Sequence, residues 1–276
     1  MRVAQVHEWS GKTGEIWAAE WRRTDRSFGA LTEQLLGRIH QAGFRQALDI
    51  GCGAGELSLA LGRAAPAAQI LGVDVSPALV AIAQERGANL ANVSFAEGDA
   101  ARWRPAPGFA PDLLVSRHGV MFFADPPAAF ANLAALAAPE ARLLFSCFRD
   151  PADNPFFTEV NRLLPQAEAP RDPHAAGPFA FADPAHVEAI LNAGGWQDCR
   201  FEPVDFGMVV GGGEDPVEDT VAYYSVIGPA ARSLAEMPAA EREELFDSIR
   251  ALARRNLHEG LVVLRAAAWI VSARKG

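Results

Sequence analysis

Ala47-Leu48-Asp49-Ile50-Gly51-Cys52-Gly53-Ala54-Gly55 decides the fold. An apolar run ends near an acid, turns on three glycines, and is followed by a helical pattern through Glu56, Leu57, Leu59 and Leu61. A strand that stops on a glycine turn opening a helix brings bare backbone against a nucleotide. A dinucleotide fingerprint, G-x-G-x-x-G, would place its third glycine at position 56, which is Glu56. Here the glycines fall at 51, 53 and 55 instead.

Downstream, strand and helix patterns alternate. Gln69 to Val75 is a short apolar run with Asp74 near its end, and Ser76-Pro77 starts a helix with a capping hydroxyl and a proline at its first position. Val93 to Asp99 is a third strand stopping at Gly98-Asp99, and Asp112 to Ser116 a fourth. Pro126 to Ala138 reads as a helix and Ala141 to Phe148 as a fifth strand. Continuous apolar strands separated by helices predict a parallel, doubly wound sheet covered on both faces. The rhythm changes after that. Residues 151–181 are rich in proline and phenylalanine, Asp183-Pro184 opens a short helix, a strand runs near Cys199 to Asp205, and Gly211-Gly212-Gly213 marks a break. Residues 216–258 read as two or three helices, and Leu261 to Ser272 as a long final strand.

The turn with Asp49, the Asp74 acid about twenty residues on, and Phe95-Ala96-Glu97-Gly98-Asp99-Ala100 together resemble the cofactor motifs of class I S-adenosylmethionine-dependent methyltransferases. Ser116-Arg117-His118-Gly119-Val120-Met121-Phe122-Phe123, Gly177 to Asp183 and the Trp9 to Trp17 stretch resemble a bacterial small-molecule subgroup of that family. The resemblance implies a Rossmann-like, doubly wound, mostly parallel seven-stranded α/β sheet, with helices on both faces and a helical and loop cap. Residues 1–45 would be a helical segment covering the cofactor site. Residues 46–276 would be the core, with cap insertions near 151–181 and 211–258.

The expected cofactor is S-adenosyl-L-methionine, leaving S-adenosyl-L-homocysteine, with no metal. Its holders would be Asp49, Gly51, Cys52, Gly53, Gly55, Asp74, Val75, Asp99, Ala100, Ser116 and Trp17. Asp74 would accept the ribose hydroxyls and Asp99 the adenine amine. Asp49 would either hold the glycine loop or reach the cofactor ammonium, and Cys52 would fill the loop. His118, after the fourth strand, is either the catalytic base for a hydroxyl acceptor or a hydrogen-bonded holder of its loop. Arg117 pairs either with a substrate carboxylate or with a core acid such as Glu97 or Asp99. Phe123, Phe156, Phe179 and Tyr223 would line an apolar substrate cavity, and Trp17 and Trp21 share one helix face.

Composition fits this picture. The chain has 276 residues, 50% of them hydrophobic and 21% charged, enough for a full α/β core. A net charge of −9 argues against a backbone-driven grip on nucleic acid. With no long apolar run, no signal-like N-terminus and three scattered cysteines, the expectation is a cytoplasmic monomer or homodimer with no membrane or nucleic-acid partner. The histidines lack metal spacing. The expected activity is methyl transfer to a small, partly apolar metabolite, oxygen being favoured slightly over nitrogen or carbon. The competing readings are a nicotinamide-dependent oxidoreductase and a non-catalytic regulator of the same fold.

Overall fold

In a computed structural model of the chain, residues 9–40, 43–164 and 172–276 are described. His7, Pro165 and Pro170 lie outside them.

Five parallel strands form the centre: β1 (Gln46–Ile50), β2 (Gln69–Asp74), β3 (Val93–Glu97), β4 (Leu113–Arg117) and β5 (Arg142–Phe148). Two long strands follow, β6 (Trp196–Gly211) and β8 (Leu261–Lys275), and a two-residue β7 (Leu257–His258) pairs with β8. The sheet order is β3-β2-β1-β4-β5-β8-β6, and β8 runs antiparallel to both neighbours. The chain order reverses between β1 and β4. In open α/β sheets the crevice beyond the strand ends at such a switch is where ligands bind. Both final strands outrun their apolar patterns (199–205 and 261–272), because each adds backbone pairing to the other beyond the buried core.

Helices α3 (Glu56–Ala64), α4 (Pro77–Gly87), α5 (Pro126–Leu136) and α7 (Pro184–Ala193) connect the strands. Three of them, and α8 (Pro216–Val226), start the same way. A Ser or Asp precedes a proline, and its side chain accepts a backbone N–H of the first turn: Ser76 from Leu79, Asp125 from Ala128, Asp183 from Ala185, and Asp215 from Val217 and Glu218. The cap satisfies a donor the helix leaves open, and the proline has none to lose. The remaining helices are α1 (Lys12–Ala19), α2 (Trp21–His40), α6 (Pro155–Asn161), α9 (Pro229–Glu236) and α10 (Ala239–Arg255).

The N-terminal segment divides in two. In α2, Phe28, Leu31, Leu35 and Ile39 form one buried stripe, so this helix belongs to the layer covering the sheet. Only α1 lies elsewhere, beside the glycine turn. Among the described residues no helix is long and apolar enough to cross a membrane.

The cap insertion is anchored at its root by Asn154, which is fully buried. Its Nδ2 donates to the carbonyls of Arg149 (3.3 Å) and Asp150 (3.0 Å), and its Oδ1 accepts the Ala267 N–H of β8 at 2.8 Å. One amide thereby satisfies three main-chain groups. Asn154→Ala strands a buried N–H and is expected to cost about 2–3 kcal/mol, read as a lowered urea midpoint with an unchanged m-value.

Candidate active site

The glycine turn links β1 to α3, with φ of 64° at Gly51, 54° at Gly53 and 85° at Gly55. Each conformation suits glycine, but the three serve different ends. A Cβ on Gly51 would stand 2.9 Å from the Gly119 Cα, so this glycine lets the β1 and β4 ends touch. A Cβ on Gly55 would meet Phe95 and Ala83 at 2.9–3.0 Å, which makes it a packing glycine. A Cβ on Gly53 meets nothing within 4 Å. It is the bare backbone turned toward open space, as a cofactor cradle requires.

Asp74 ties the β2 end to this turn. Its carboxylate accepts the Gly53 N–H through Oδ2 and the Ser76 N–H through Oδ1, both at 2.9 Å. Burial nevertheless raises its pKa. Asp49 is 1% exposed and takes the Ser58 hydroxyl at 2.6 Å, linking β1 to α3. Burial moves its pKa up to about 6, opposed by Ser58 and by the Arg117 charge. Asp49 thus holds the loop in this structure. Cys52 is buried with its Sγ 3.7 Å from the Gly53 carbonyl, and burial raises its thiol pKa far from reactivity.

At the β3 end, Gly98 donates its N–H to the Asp74 carbonyl at 2.8 Å, so the Gly-Asp element sits beside the β2 acid. The Asp99 carboxylate accepts the Ala101 N–H at 3.0 Å and Arg102 Nε at 2.8 Å. Arg102 is 77% exposed, so that pair is weak and exchangeable. Val75 is half-buried and Ala100 buried, flanking the two acids.

The α1 helix rests on this shoulder. Ala18 packs with Ala54 of the turn and Leu79 of α4, joined by Trp17 and Trp21. Gly14 allows the approach, since a Cβ there would fall 2.3 Å from the Ser76 Oγ. Trp17 lies 5.6 Å from Trp9, which meets Phe122 edge-on at 5.1 Å. Those three rings reach from the β2 side of the crevice to the segment after β4.

Four expectations need correction beyond β4. Ser116 has no exposure: its hydroxyl donates to the Ile50 carbonyl at 2.7 Å and accepts the Gly119 N–H at 3.0 Å, so it fastens β4 to β1, its one proton is already committed, and burial keeps the oxygen from the crevice. Arg117 pairs with Glu56 and with Asp25 (3.7 Å), and donates to Thr32 at 2.9 Å, rather than with Glu97, Asp99 or an open substrate position. The Phe123 ring packs edge-on against Phe130 of α5, while Phe122 turns to Trp9. Tyr223 is buried with its hydroxyl on Ser27 of α2, and burial pushes its pKa up to about 12. Its neighbour Tyr224 bonds the Phe156 carbonyl at 2.8 Å.

His118 occupies an unusual setting. Its φ is 61°, in the left-handed region. The ring stacks on Phe148 at 4.1 Å and meets Phe28 edge-on at 5.2 Å. Phe148 in turn touches Phe156 at 5.0 Å and Phe179 at 5.6 Å. Both imidazole nitrogens are buried without a hydrogen-bond partner among the described residues. Only its backbone is anchored, by an N–H donated to the Ser146 carbonyl at 3.2 Å. Its side chain therefore does not fasten the loop. Burial and the neighbouring Arg117 drive its pKa down to about 3. Sequence reasoning missed Asp25, Phe28, Ser58 and Phe148, none of which belongs to a motif; Phe28 is visible only as one turn of the apolar α2 stripe.

The low His118 pKa sets a stability trend. Unfolded, the ring binds its proton near pH 6.5; folded, only near 3. Between those values the unfolded chain binds more protons, so this contribution is complete above pH 6.5 and is lost as pH falls. From pH 7 to 5 the protein should lose about 2 kcal/mol more than the His118→Asn variant, whose residue tolerates positive φ. Paired urea melts at the two pH values measure the difference.

A family described as a methyltransferase domain matches residues 47–140. A trans-aconitate 2-methyltransferase of Paracidovorax citrulli is 30% identical over 49% of this chain, and the chain spans about half of it, 48%. One from Methylobacterium radiotolerans is 28% identical over 78% of this chain and 68% of its own length. A demethylmenaquinone methyltransferase of Thermus thermophilus is 31% identical over 59% of this chain and 79% of its own. Among solved structures, the YcgJ protein of Bacillus subtilis superposes with a TM-score of 0.56 at 20% identity, covering 88% of this chain and 98% of that one. Phosphoethanolamine N-methyltransferase 2 of Haemonchus contortus, solved with S-adenosyl-L-methionine, superposes at 0.55 and 16% identity, over 96% of this chain and 58% of that one. These two likenesses concern the fold. With 79% of the Thermus enzyme matched at 31% identity, and the glycine turn and strand-end acids in place, the chain belongs to the class I S-adenosylmethionine-dependent methyltransferases.

Proposed function

We propose that this chain methylates a small, partly apolar molecule, taking the methyl group from S-adenosylmethionine held over the β1, β2 and β3 ends. The observation that carries the acceptor side is His118, a buried imidazole whose two nitrogens have no hydrogen-bond partner among the described residues, one residue from the glycine that abuts the cofactor turn. The Gly53 backbone, open on one face, supports the cofactor side. In this reading Gly51 and Gly55 shape the turn, and Asp74 takes the ribose hydroxyls while keeping its bonds to Gly53 and Ser76. Asp99 exchanges Arg102 for the adenine amine, with Val75 and Ala100 packing beside it. Asp49 steadies the loop, and Trp17 closes over it.

Bound S-adenosylmethionine supplies an electrophilic sulfonium methyl, so what remains for the protein is alignment. Positioning of this kind supplies roughly 7–11 kcal/mol in favourable cases. The α1 helix, the Trp9–Trp17–Phe122 rings and the Phe156 and Phe179 cap exclude water from the crevice. His118 receives a hydrogen bond from the acceptor atom. Oxygen is favoured because a neutral imidazole accepts an O–H well; a ring of such low basicity takes that proton only as the methyl arrives and the hydroxyl becomes strongly acidic, and then passes it to water.

Calorimetry with S-adenosylhomocysteine tests the cofactor side, with NADH as the opposing ligand. Micromolar binding of the first and none of the second is expected, and absence of S-adenosylhomocysteine binding overturns the reading. Asp74→Asn should weaken that binding about 10- to 100-fold, the worth of a charged hydrogen bond or two. The glycines separate shape from contact. Gly53→Ala should cost only about 1 kcal/mol of stability yet lose most cofactor affinity, whereas Gly51→Ala, forced into backbone, should cost about 2 kcal/mol or more. His118→Ala should leave cofactor affinity in place and lower turnover.

A further inference from the structure

The balance of charge around His118 restricts what the site accepts. Arg117 is the cation nearest the ring, and it is already shared between Glu56 and Asp25. Asp25 is also bound by Arg86 at 2.6 Å, so two guanidiniums face two carboxylates in a closed set. Farther along α2, Arg23 and Arg26 are matched by Glu20 and Asp219. On the cap side Arg149 is held by Asp153 and Asp205. Among the described residues, each of these cations has a carboxylate within ion-pair distance, although Nε and Nη2 of Arg26 are buried without an aligned hydrogen bond. A substrate carboxylate entering here would break an existing pair or be buried without one, which is costly either way.

What surrounds the imidazole is phenyl rings, with Phe28, Phe148 and Phe156 buried and Phe157 and Phe179 half-buried, and a few neutral polar atoms. Phe28 and Phe148 flank the imidazole, Phe156 and Phe179 extend the wall, and Phe157 closes edge-on against Phe179 at 4.9 Å. The Ser146 hydroxyl is another buried polar atom without a hydrogen-bond partner among the described residues, and the carbonyl of the same residue holds the His118 backbone. Aromatic walls favour a flat ring by offset or edge-on packing. An imidazole with free nitrogens discriminates strongly in favour of a ligand that supplies the missing hydrogen bond.

We infer that the methyl acceptor is an uncharged aromatic molecule bearing a ring hydroxyl, which His118 reads by a hydrogen bond while the Phe28, Phe148, Phe156 and Phe179 rings hold its plane. The inference rests on the methyltransferase reading above and narrows it. It separates this chain from those of its relatives that are named for trans-aconitate, a polycarboxylate.

The test uses the full chain saturated with S-adenosylhomocysteine, titrated with 2-naphthol, naphthalene, 2-naphthoate and trans-aconitate. The expected order is 2-naphthol tightest, naphthalene about 10-fold weaker, and both carboxylates about 100-fold weaker or undetectable. In His118→Phe the preference for naphthol over naphthalene should vanish. His118→Asn, which tolerates the same backbone and keeps a polar amide, should retain part of it. Unchanged S-adenosylhomocysteine affinity in both variants certifies their folding. The inference is overturned if a carboxylate binds as well as 2-naphthol, if the saturated protein binds neither ring, or if His118→Phe keeps the hydroxyl preference. Failure to bind S-adenosylhomocysteine at all would instead sink the methyltransferase reading itself.

Discussion

The Asp74 carboxylate, shared between the N–H groups of Gly53 and Ser76, is the contact on which the site depends. It joins the end of β2 to the turn after β1 and to the start of α4. The backbone bonds from Gly51 and Cys52 to the Val73 carbonyl reinforce the same junction. A carboxylate taken so far from water is costly, and two main-chain donors recover part of that cost. The glycine turn therefore holds its shape before any ligand arrives, which spares binding the entropy of ordering it.

On the other side of the switch point the logic is reversed. Ser116 fastens β4 to β1 and Gly119 lies against Gly51, but between them His118 is left at positive φ with its ring nitrogens unpaired among the described residues. The cradle is satisfied internally, whereas the neighbouring wall has a deficit. Such deficits persist where surrounding packing enforces them, and they cluster where function compensates. Arg117 is what makes the contrast sharp: the adjacent residue carries a full charge and is completely paired.

Most of the sheet could be read in advance because parallel strands buried on both faces carry continuous apolar runs, and helices beginning at Ser76-Pro77, Asp125-Pro126, Asp183-Pro184 and Asp215-Pro216 announce themselves locally. The glycine turn and Asp74 were legible for the same reason: a local spacing encodes a local geometry. Ser116, Arg117 and Tyr223 were not. Their roles are set by partners as far away in the chain as Ile50, Asp25 and Ser27, and no spacing announces a long-range pair. Phe122 and Phe123 show the same limit at the smallest scale. Which of two adjacent rings faces the crevice depends on the short 3₁₀ turn at Val120–Phe122 and on what waits on either side.

The seating of α1 has a consequence for traffic. This eight-residue helix touches the turn through small residues, with Gly14 against Ser76 and Ala18 against Ala54, and its one reach across the crevice is through Trp17 and Trp9. A helix this short has little intrinsic stability and leans on such contacts to persist. It makes an inexpensive door. Undocking these roughly two turns of chain would uncover the glycine turn while leaving the sheet behind it in place.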